Sequence, residues 1–127
     1  MNDKQEQGLA QRRQVLGNEY VDGVLRKVTD YNAPLQDVLN EYCWGGPWVR
    51  PGLDLKTRSL LNLAMMTAMN RSHELAIHTR GALRNGATAE EVREVLLQAA
   101  IYVGVPAAVD AFRVTAEVID TYNSEQQ

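Results

Sequence analysis

Two histidines, a glutamate and an arginine fall within one short run of a predicted helix, His73-Glu74-Leu75-Ala76-Ile77-His78-Thr79-Arg80. The run is similar to the zinc-protease pattern HExxH, but it has one residue too many between the histidines. Helix positions advance by about 100°, so residues five apart lie about 140° apart around the axis and cannot share a metal as an i,i+4 pair does. We therefore predict no metal site in this run.

Glu74 and His78 are four residues apart and lie on one face of the predicted helix. A carboxylate in that position can orient an imidazole and raise its basicity, which suits proton transfer. The alternative is an exposed pair that only stabilises the helix, by roughly 0.2–0.5 kcal/mol. The spacing supports both interpretations, so Glu74 and His78 are candidate catalytic residues.

Two arginines and three aromatic residues are further candidates. Arg58 falls in the first turn of a predicted helix, where a cation opposes the helix dipole and calls for a carboxylate or an anionic ligand. A plain salt bridge is an equal alternative for Arg58. Arg50 lies in a loop with Trp44 and Trp48, and such Trp residues more often pack in a core or interface than stack on a ligand. Tyr102 could present its hydroxyl to a pocket, although a core tyrosine is the default interpretation.

Length and composition restrict the class of protein. With 127 residues and a net charge of -3, the chain is predicted to be one domain over 1–127, with frayed tails at 1–8 and 123–127, and to bind neither nucleic acid nor a membrane surface. No apolar run approaches the roughly 18 residues of a membrane span, so we expect a cytoplasmic protein. Cys43 is the only cysteine, which excludes an internal disulfide and a CxxC redox pair.

The periodicity of apolar residues predicts helices throughout. No segment shows sustained two-residue alternation, which favours an all-α fold of about six helices. On the third helix we expect Leu60, Leu61 and Met65 to face the core. The first four helices are predicted at about 19–29, from Pro34 to near Gly45, at 54–69 and at 72–85. The fifth is predicted to run from the Thr88 capping box to a break at Gly104, and the sixth from that break to about Tyr122.

Several runs of residues form a specific combination that covers nearly the whole chain. These runs are Arg12–Gly17 with Tyr20-Val21, Glu41–Gly45, Trp48–Leu53, Arg58–Leu60, Glu74–Ala82, Asn85-Gly86 and Ile101–Ala108. In them the chain resembles the 4-carboxymuconolactone decarboxylases of the β-ketoadipate pathway, within the larger carboxymuconolactone decarboxylase and alkylhydroperoxidase D superfamily.

The resemblance also indicates which chemistry is absent. The peroxidase branch of the superfamily uses a CxxC pair followed by a His four residues later. Superposing that His on His78 puts Arg71 and Glu74 where the cysteines would be, so peroxidase chemistry is excluded. The resemblance implies an alkylhydroperoxidase D-like helical protomer and a homo-oligomer, commonly a hexamer, with sites near subunit boundaries.

The resemblance further implies a reaction, the decarboxylation of 4-carboxymuconolactone to the β-ketoadipate enol-lactone and CO2 in protocatechuate catabolism. This small lactone carboxylate has an acetate arm and contains its own electron sink, so no cofactor is expected. His78 is the expected proton donor, with Glu74 holding its tautomer and Tyr102 as a weaker alternative donor.

The other candidates would bind the substrate. Arg50 and Arg58 are expected to hold the acetate arm and the forming oxyanion, because guanidinium groups match planar carboxylates. Trp44 or Trp48 would form an apolar wall at the departing carboxylate. Two alternatives stay open at this stage. One is a related lactone decarboxylase or isomerase with a different substrate, and the other is a non-catalytic helical oligomer that binds a small acidic ligand or a partner protein.

Overall fold

The computed structural model describes residues 1–127 and contains helices but no strand. The predicted all-α fold is confirmed, with seven α-helices where about six were expected. The chain divides into two compact units, Met1–Asp54 and Leu55–Gln127. That they form one domain stays a prediction. The first unit comprises α1 (Asp3–Leu16), α2 (Asn18–Arg26), α3 (Ala33–Val38), a π-helical segment (Leu39–Trp44) and a 3₁₀ turn (Pro47–Val49). The second comprises α4 (Leu55–Ala68), α5 (Ser72–Arg84), α6 (Ala89–Val103) and α7 (Val105–Glu125).

The additional helix is α1, which begins where the sequence predicted a frayed tail. A capping box starts it, because the Asn2 side chain accepts a hydrogen bond from the Gln5 N–H (2.8 Å) and the Gln5 side chain accepts one from the Asn2 N–H (2.9 Å). Such reciprocal bonds satisfy N–H groups that lack partners in a first turn. Its buried apolar side chains, Val15 and Leu16, lie only at its end, so apolar periodicity did not reveal it. At the other terminus α7 extends to Glu125, into the second segment predicted to fray.

Glycines allow α1 to pack directly against the π-helical segment. The Gly45 N–H donates to the Asn40 carbonyl, five residues back, at 2.9 Å, which is the hydrogen-bond spacing of a π-helix. A Cβ on Gly45 would lie 2.7 Å from the carbonyl oxygen of Lys4, and a Cβ on Gly8 would collide with the Asn40 carbonyl. The two backbones therefore approach to a distance that no larger residue permits at these positions.

The second unit has an apolar core to which all four of its helices contribute. Its most buried apolar side chains are Leu63 of α4, Leu75 and Ala82 of α5, Val92 and Leu96 of α6, and Ala111 of α7. These six side chains are at most 2% exposed, so their burial supplies much of the unit's hydrophobic stabilisation.

The predicted inner face of α4 was partly wrong. Leu61 and Met65, expected in the core, are 46% and 48% exposed, and the fully or almost fully buried positions are Ser59, Leu63 and Thr67. Two of these are polar, and each is hydrogen-bonded. The Thr67 hydroxyl donates to the Leu63 carbonyl (2.7 Å), and the Ser59 hydroxyl oxygen accepts from the Asn85 side-chain amide (2.9 Å). Helix α4 is therefore rotated so that an apolar flank stays exposed.

The predicted breaks between α5, α6 and α7 are confirmed. Gly86 follows α5 with φ of 96°, and Gly104 separates α6 from α7 with φ of 108°. Both values lie in the left-handed region that favours glycine. Between them the Thr88 side chain accepts from the Glu91 N–H, and the Glu91 side chain accepts from the Thr88 N–H, each at 3.0 Å. This capping box starts α6 where the sequence predicted it.

Large apolar side chains are exposed around the junction of α6 and α7. They are Leu97, Ile101, Tyr102, Val105 and Val109, between 49% and 80% exposed. Exposed apolar side chains that cluster in this way are typical of surfaces that contact other proteins. None of the helices combines the length and the apolar composition that crossing a bilayer requires.

Candidate active site

Helices α4 and α5 run antiparallel, and hydrogen bonds near both ends fix their register. Asn85, directly after α5, donates from its amide to Ser59 Oγ near the start of α4 (2.9 Å). At the opposite end the Arg71 N–H donates to the Met66 carbonyl (2.9 Å). This register sets the middle of α5, where His78 lies, opposite the middle of α4.

The residue of α4 that lies beside His78 is Asn62, which the sequence interpretation missed. Asn62 Nδ2 is 3.4 Å from His78 Nδ1, at the long end of the hydrogen-bond range. The only signal in the sequence was that Asn62 lies four residues after Arg58, on the same face of a predicted helix. Its partner sixteen positions away could not be identified without the register of the two helices.

Burial and a nearby carboxylate shift the pKa of His78 in opposite directions. Burial lowers the pKa of His78 because it disfavours the charged imidazolium, and Glu74 partly offsets this by its negative charge. The expected increase in basicity from Glu74 is therefore present but smaller than the effect of burial. The neutral imidazole is the main form of His78 at neutral pH.

The remaining charged residues of the α5 run have other environments. His73 is exposed. Arg80 donates to Glu125 near the end of α7 at 2.6 Å and lies over the ring of Tyr122, 5.4 Å from its centroid. Glu74 and His78 are thus the two members of the run that stay together as a candidate site.

Arg58 joins these residues through its position on α4. It is the fourth residue of the helix, is partly buried, and lies one turn before Asn62. Asn62 lies beside His78, and Glu74 lies one turn before His78 on α5 and acts on it by its charge. Within the second unit, the Asn62–His78 pair therefore brings the flank of α4 that carries Arg58 together with the flank of α5 that carries Glu74.

Tyr102 lies elsewhere in the second unit. It is 78% exposed and lines a groove of about 480 Å³ between α4 and α6. The groove is largely apolar, and the residues of α4 that line it are Thr57, Leu60, Leu61 and Ala64. Neither His78 nor Asn62 lines this groove. The structure of one chain therefore separates Tyr102 from His78, and a substrate-binding role for Tyr102 stays a prediction.

The first unit contains the other three predicted residues. Trp44 and Trp48 stack on each other, with ring centroids 4.8 Å apart, and are 4% and 6% exposed. Gln11 of α1 donates to the Trp48 carbonyl at 2.9 Å, which fixes the 3₁₀ turn against α1. Arg50 follows this turn and is exposed. The stacked pair matches the packing alternative for the two Trp residues, and their role as a wall for the substrate stays a prediction.

The cysteine and the potential metal ligands offer no further site. Cys43 is partly buried, and burial raises the pKa of its thiol, an effect that the charge of Arg12 partly offsets. The thiol is therefore mainly protonated and less nucleophilic than an exposed one. No three His, Cys, Asp or Glu side chains are grouped so that they could hold a metal ion.

Comparison with known proteins relates this arrangement to a family. A model described as "Carboxymuconolactone decarboxylase family" matches residues 33–117. That segment includes every candidate residue, from Trp44 to Tyr102.

Two relatives with named activities match most of the chain. Nitrosuccinic acid decarboxylase npaB of Metarhizium robertsii is 44% identical over 91% of this chain and 80% of its own. The 4-carboxymuconolactone decarboxylase of Acinetobacter baylyi is 39% identical over 93% of this chain and 90% of its own. An uncharacterised 15.0 kDa protein from the nqo9-nqo10 intergenic region of Paracoccus denitrificans is 35% identical over 61% of this chain and 60% of its own.

Proposed function

Because this chain belongs to the carboxymuconolactone decarboxylase family, we propose that it is a carboxy-lyase that converts 4-carboxymuconolactone to the β-ketoadipate enol-lactone and CO2. The observation that carries the proposal is that both relatives with a named activity are decarboxylases, and each matches more than nine-tenths of this chain. The cluster of Arg58, Asn62, Glu74 and His78 supports it, because it supplies a cation and a proton-transfer group on one side of two helices.

The substrates named in the two relatives have a common chemical feature. Nitrosuccinic acid carries a nitro group, a carboxylate and a CH2–COO⁻ arm on one carbon. In 4-carboxymuconolactone the ring γ-carbon carries a carboxylate and the same arm, beside an unsaturated lactone. Each leaving carboxylate is thus attached to a carbon whose electrons can pass into a nitro group or into the lactone carbonyl. The substrate class that follows is a succinate whose second carbon carries an electron sink.

The proposed reaction is simple to balance. The bond between the γ-carbon and the carboxylate breaks, CO2 leaves, and the electron pair moves through the ring alkene to the carbonyl oxygen of the lactone, which gives a dienolate. The dienolate then takes one proton at the ring α-carbon, so each turnover consumes one proton. In this proposal the His78 imidazolium donates that proton, and solvent restores it.

Substrate binding would favour the acid form of His78. In the free protein burial lowers the pKa of His78, so the imidazolium is the minor form at neutral pH. A bound dicarboxylate brings negative charge, which favours the imidazolium, as Glu74 already does. The substrate would thereby help to protonate its own proton donor.

The arginines have a separate role in the proposal. Arg58 would bind the acetate arm or the forming oxyanion, because it is a permanent cation on the flank that carries Asn62. Arg50 is proposed for the same recognition, and Trp44 and Trp48 for the apolar wall. The departing carboxylate should not be paired with an arginine, because that pairing would stabilise the ground state more than the transition state.

A second candidate is decarboxylation of 2-nitrosuccinate to 3-nitropropanoate. It is supported by the relative from Metarhizium robertsii, which is 44% identical to this chain. In this reaction the nitro group takes up the electron pair, which gives a nitronate. His78 would again donate the proton, and Arg50 and Arg58 would again bind the substrate.

Measurement of CO2 release from each substrate in turn tests the proposal. Protein dialysed against a chelator is incubated with 4-carboxymuconolactone and, separately, with 2-nitrosuccinate, with a His78→Gln variant as the matched control. We expect release from the lactone with wild-type protein, without added metal or cofactor. Release from 2-nitrosuccinate alone would make 2-nitrosuccinate the substrate in place of 4-carboxymuconolactone. Release from neither compound would favour the non-catalytic alternative.

We also propose a cytoplasmic homo-oligomer, with a hexamer expected from the family resemblance. The apolar side chains around the junction of α6 and α7 support self-association. Light scattering of wild-type protein and of an Ile101→Glu variant tests this, with Arg93→Glu, on an exposed charged position of α6, as the control. An unchanged mass for Ile101→Glu would exclude this surface as the contact.

A further inference from the structure

We propose that Asn62 is a positioning residue that selects which nitrogen of the His78 ring carries the proton. In the neutral ring one nitrogen is a donor and the other an acceptor. With Asn62 Nδ2 at 3.4 Å from Nδ1, the amide N–H donates to Nδ1, so that Nε2 carries the proton. The importance of this choice for catalysis rests on the proposed function, but the tautomer itself does not.

The packing of α4 on α5 is what holds the amide in place. The Asn85–Ser59 hydrogen bond is anchored on a side chain with no exposed surface, so the register at this end of the pair resists slipping. Asn62 lies three residues after Ser59 on α4, and His78 lies seven residues before Asn85 on α5. A shift by one residue in either helix would turn one of the two side chains away from the other.

An amide differs from a carboxylate in what it does to the imidazole. A carboxylate beside Nδ1 would stabilise the imidazolium and place the proton of the neutral ring on Nδ1. An amide can donate to the neutral ring and, after rotating, accept from the imidazolium through its oxygen. Asn62 therefore orients the ring without fixing its charge, which suits a group that must both lose and regain a proton.

Charged groups also lie on the helices packed around His78. Glu74 lies one turn before His78 on α5, and Arg58 lies one turn before Asn62 on α4. On α7, Asp110 and Glu125 contact α5 through Ser72 and Arg80, on the other flank of the helix. The atom that lies 3.4 Å from Nδ1 is the amide nitrogen of Asn62, and we therefore assign the choice of tautomer to this residue.

Nuclear magnetic resonance can read the tautomer directly. The chain has two histidines, so a His73→Gln background leaves one imidazole to observe. Long-range proton–nitrogen correlation spectra above the titration range should show the proton of His78 on Nε2. A proton on Nδ1 in this otherwise wild-type protein would overturn the proposal without any change at position 62.

Variants at position 62 provide the second test. Asn62→Asp should move the proton of the neutral ring to Nδ1 and raise the pKa of His78 by about 1–3. Asn123→Asp is the matched control, since it makes the same chemical change at an exposed position of α7, and it should leave the tautomer unchanged. An Asn62→Asp protein with the wild-type tautomer and titration curve would also overturn the proposal.

Kinetics then separate this inference from the proposed function. If wild-type protein is a decarboxylase, Asn62→Asp should shift the pH limb of kcat/KM upward together with the His78 titration. If wild-type protein releases no CO2 from either substrate, the proposed function fails, and the spectra still decide whether Asn62 sets the tautomer. A pH limb that stays in place while the titration shifts would show that His78 is not the group that the limb reports, which would overturn the catalytic role of Asn62.

Discussion

Glu74 and His78 lie one turn apart on α5, and the negative charge of Glu74 raises a pKa that burial has lowered. As a result of the two effects, the imidazole is mainly neutral in the free protein. Any further negative charge nearby would raise its pKa. A substrate with two carboxylates would supply such charge. The pH dependence of the reaction should therefore differ between the free protein and its substrate complex.

The first prediction concerns this difference. The acid form of His78 is required, so kcat/KM should fall as pH rises through a pKa below the ordinary histidine value of about 6.5. The limb of kcat, which reports the complex, should lie at least about one pH unit higher. Steady-state kinetics across the pH range measure both limbs. A kcat/KM limb well above the ordinary value, or one that persists in His78→Gln, would contradict the prediction.

The second prediction concerns stability, because the same lowered pKa links folding to pH. The unfolded chain protonates His78 at a higher pH than the folded chain does, so the folded state loses stability as pH falls through that interval. His78→Gln should lessen the drop in the free energy of unfolding between about pH 7.5 and about pH 5, measured by urea unfolding. His73→Gln, at an exposed position, should keep the full drop. Equal drops in both variants would argue against the burial effect.

The third prediction concerns the proton donor. His78→Gln should lower kcat by at least about a hundredfold and leave KM within a few-fold, because the lost interaction acts mainly in the transition state. Glu74→Gln should have a smaller effect, since it removes only the charge that opposes burial. Steady-state kinetics with the lactone check both. A near-wild-type kcat for His78→Gln would make Tyr102 the leading candidate donor.

The sequence predicted local structure well where one residue or one short motif determines it. Thr88 and Glu91 form a capping box whatever packs around them, and Gly104 takes a backbone conformation that few other residues tolerate. The position of His78 opposite Asn62 is different in kind, because it depends on the register of two helices. A hydrogen bond between Asn85 and Ser59 helps to fix that register, and the spacing of residues within one helix does not predict a contact between two helices.

The rotation of α4 shows the same limit. Leu61 and Met65 fit an inward face by hydropathy alone, yet Ser59 and Thr67 are buried because hydrogen bonds satisfy their hydroxyl groups. Periodicity counts apolar side chains and cannot detect such compensation. It also cannot detect α1, whose packing depends on the absence of a side chain at Gly8.

The fourth prediction follows from Gly8. Gly8→Ala should destabilise the protein by about 2–4 kcal/mol, because the new methyl group would collide with the Asn40 carbonyl and force α1 from the π-helical segment. Gly23→Ala is the matched control, since Gly23 lies inside α2 with only a flexible Arg26 atom nearby, at 3.7 Å. That variant should be stabilised by about 0.5–1 kcal/mol. Urea unfolding measures both, and similar values for the two would contradict the close approach.

The last prediction separates substrate clamps from the proton donor. Arg58→Ala and Arg50→Ala should each raise KM at least about tenfold, because either guanidinium would contact the acetate arm in both the ground and transition states. Any accompanying loss of kcat measures the share of that arginine in stabilising the oxyanion. Arg58→Lys keeps the charge but loses the planar pair of donors, so it should restore only part of the affinity.

Arg93→Ala is the control for these variants, because it removes an exposed arginine of α6 outside the candidate cluster, and its KM should stay within about twofold of wild type. If Arg58→Ala lowers kcat alone and leaves KM unchanged, Arg58 binds the forming oxyanion and not the acetate arm. If neither Arg58→Ala nor Arg50→Ala changes either constant, the clamp must be built from other residues, because a dicarboxylate that has left water requires a cation to compensate its charge.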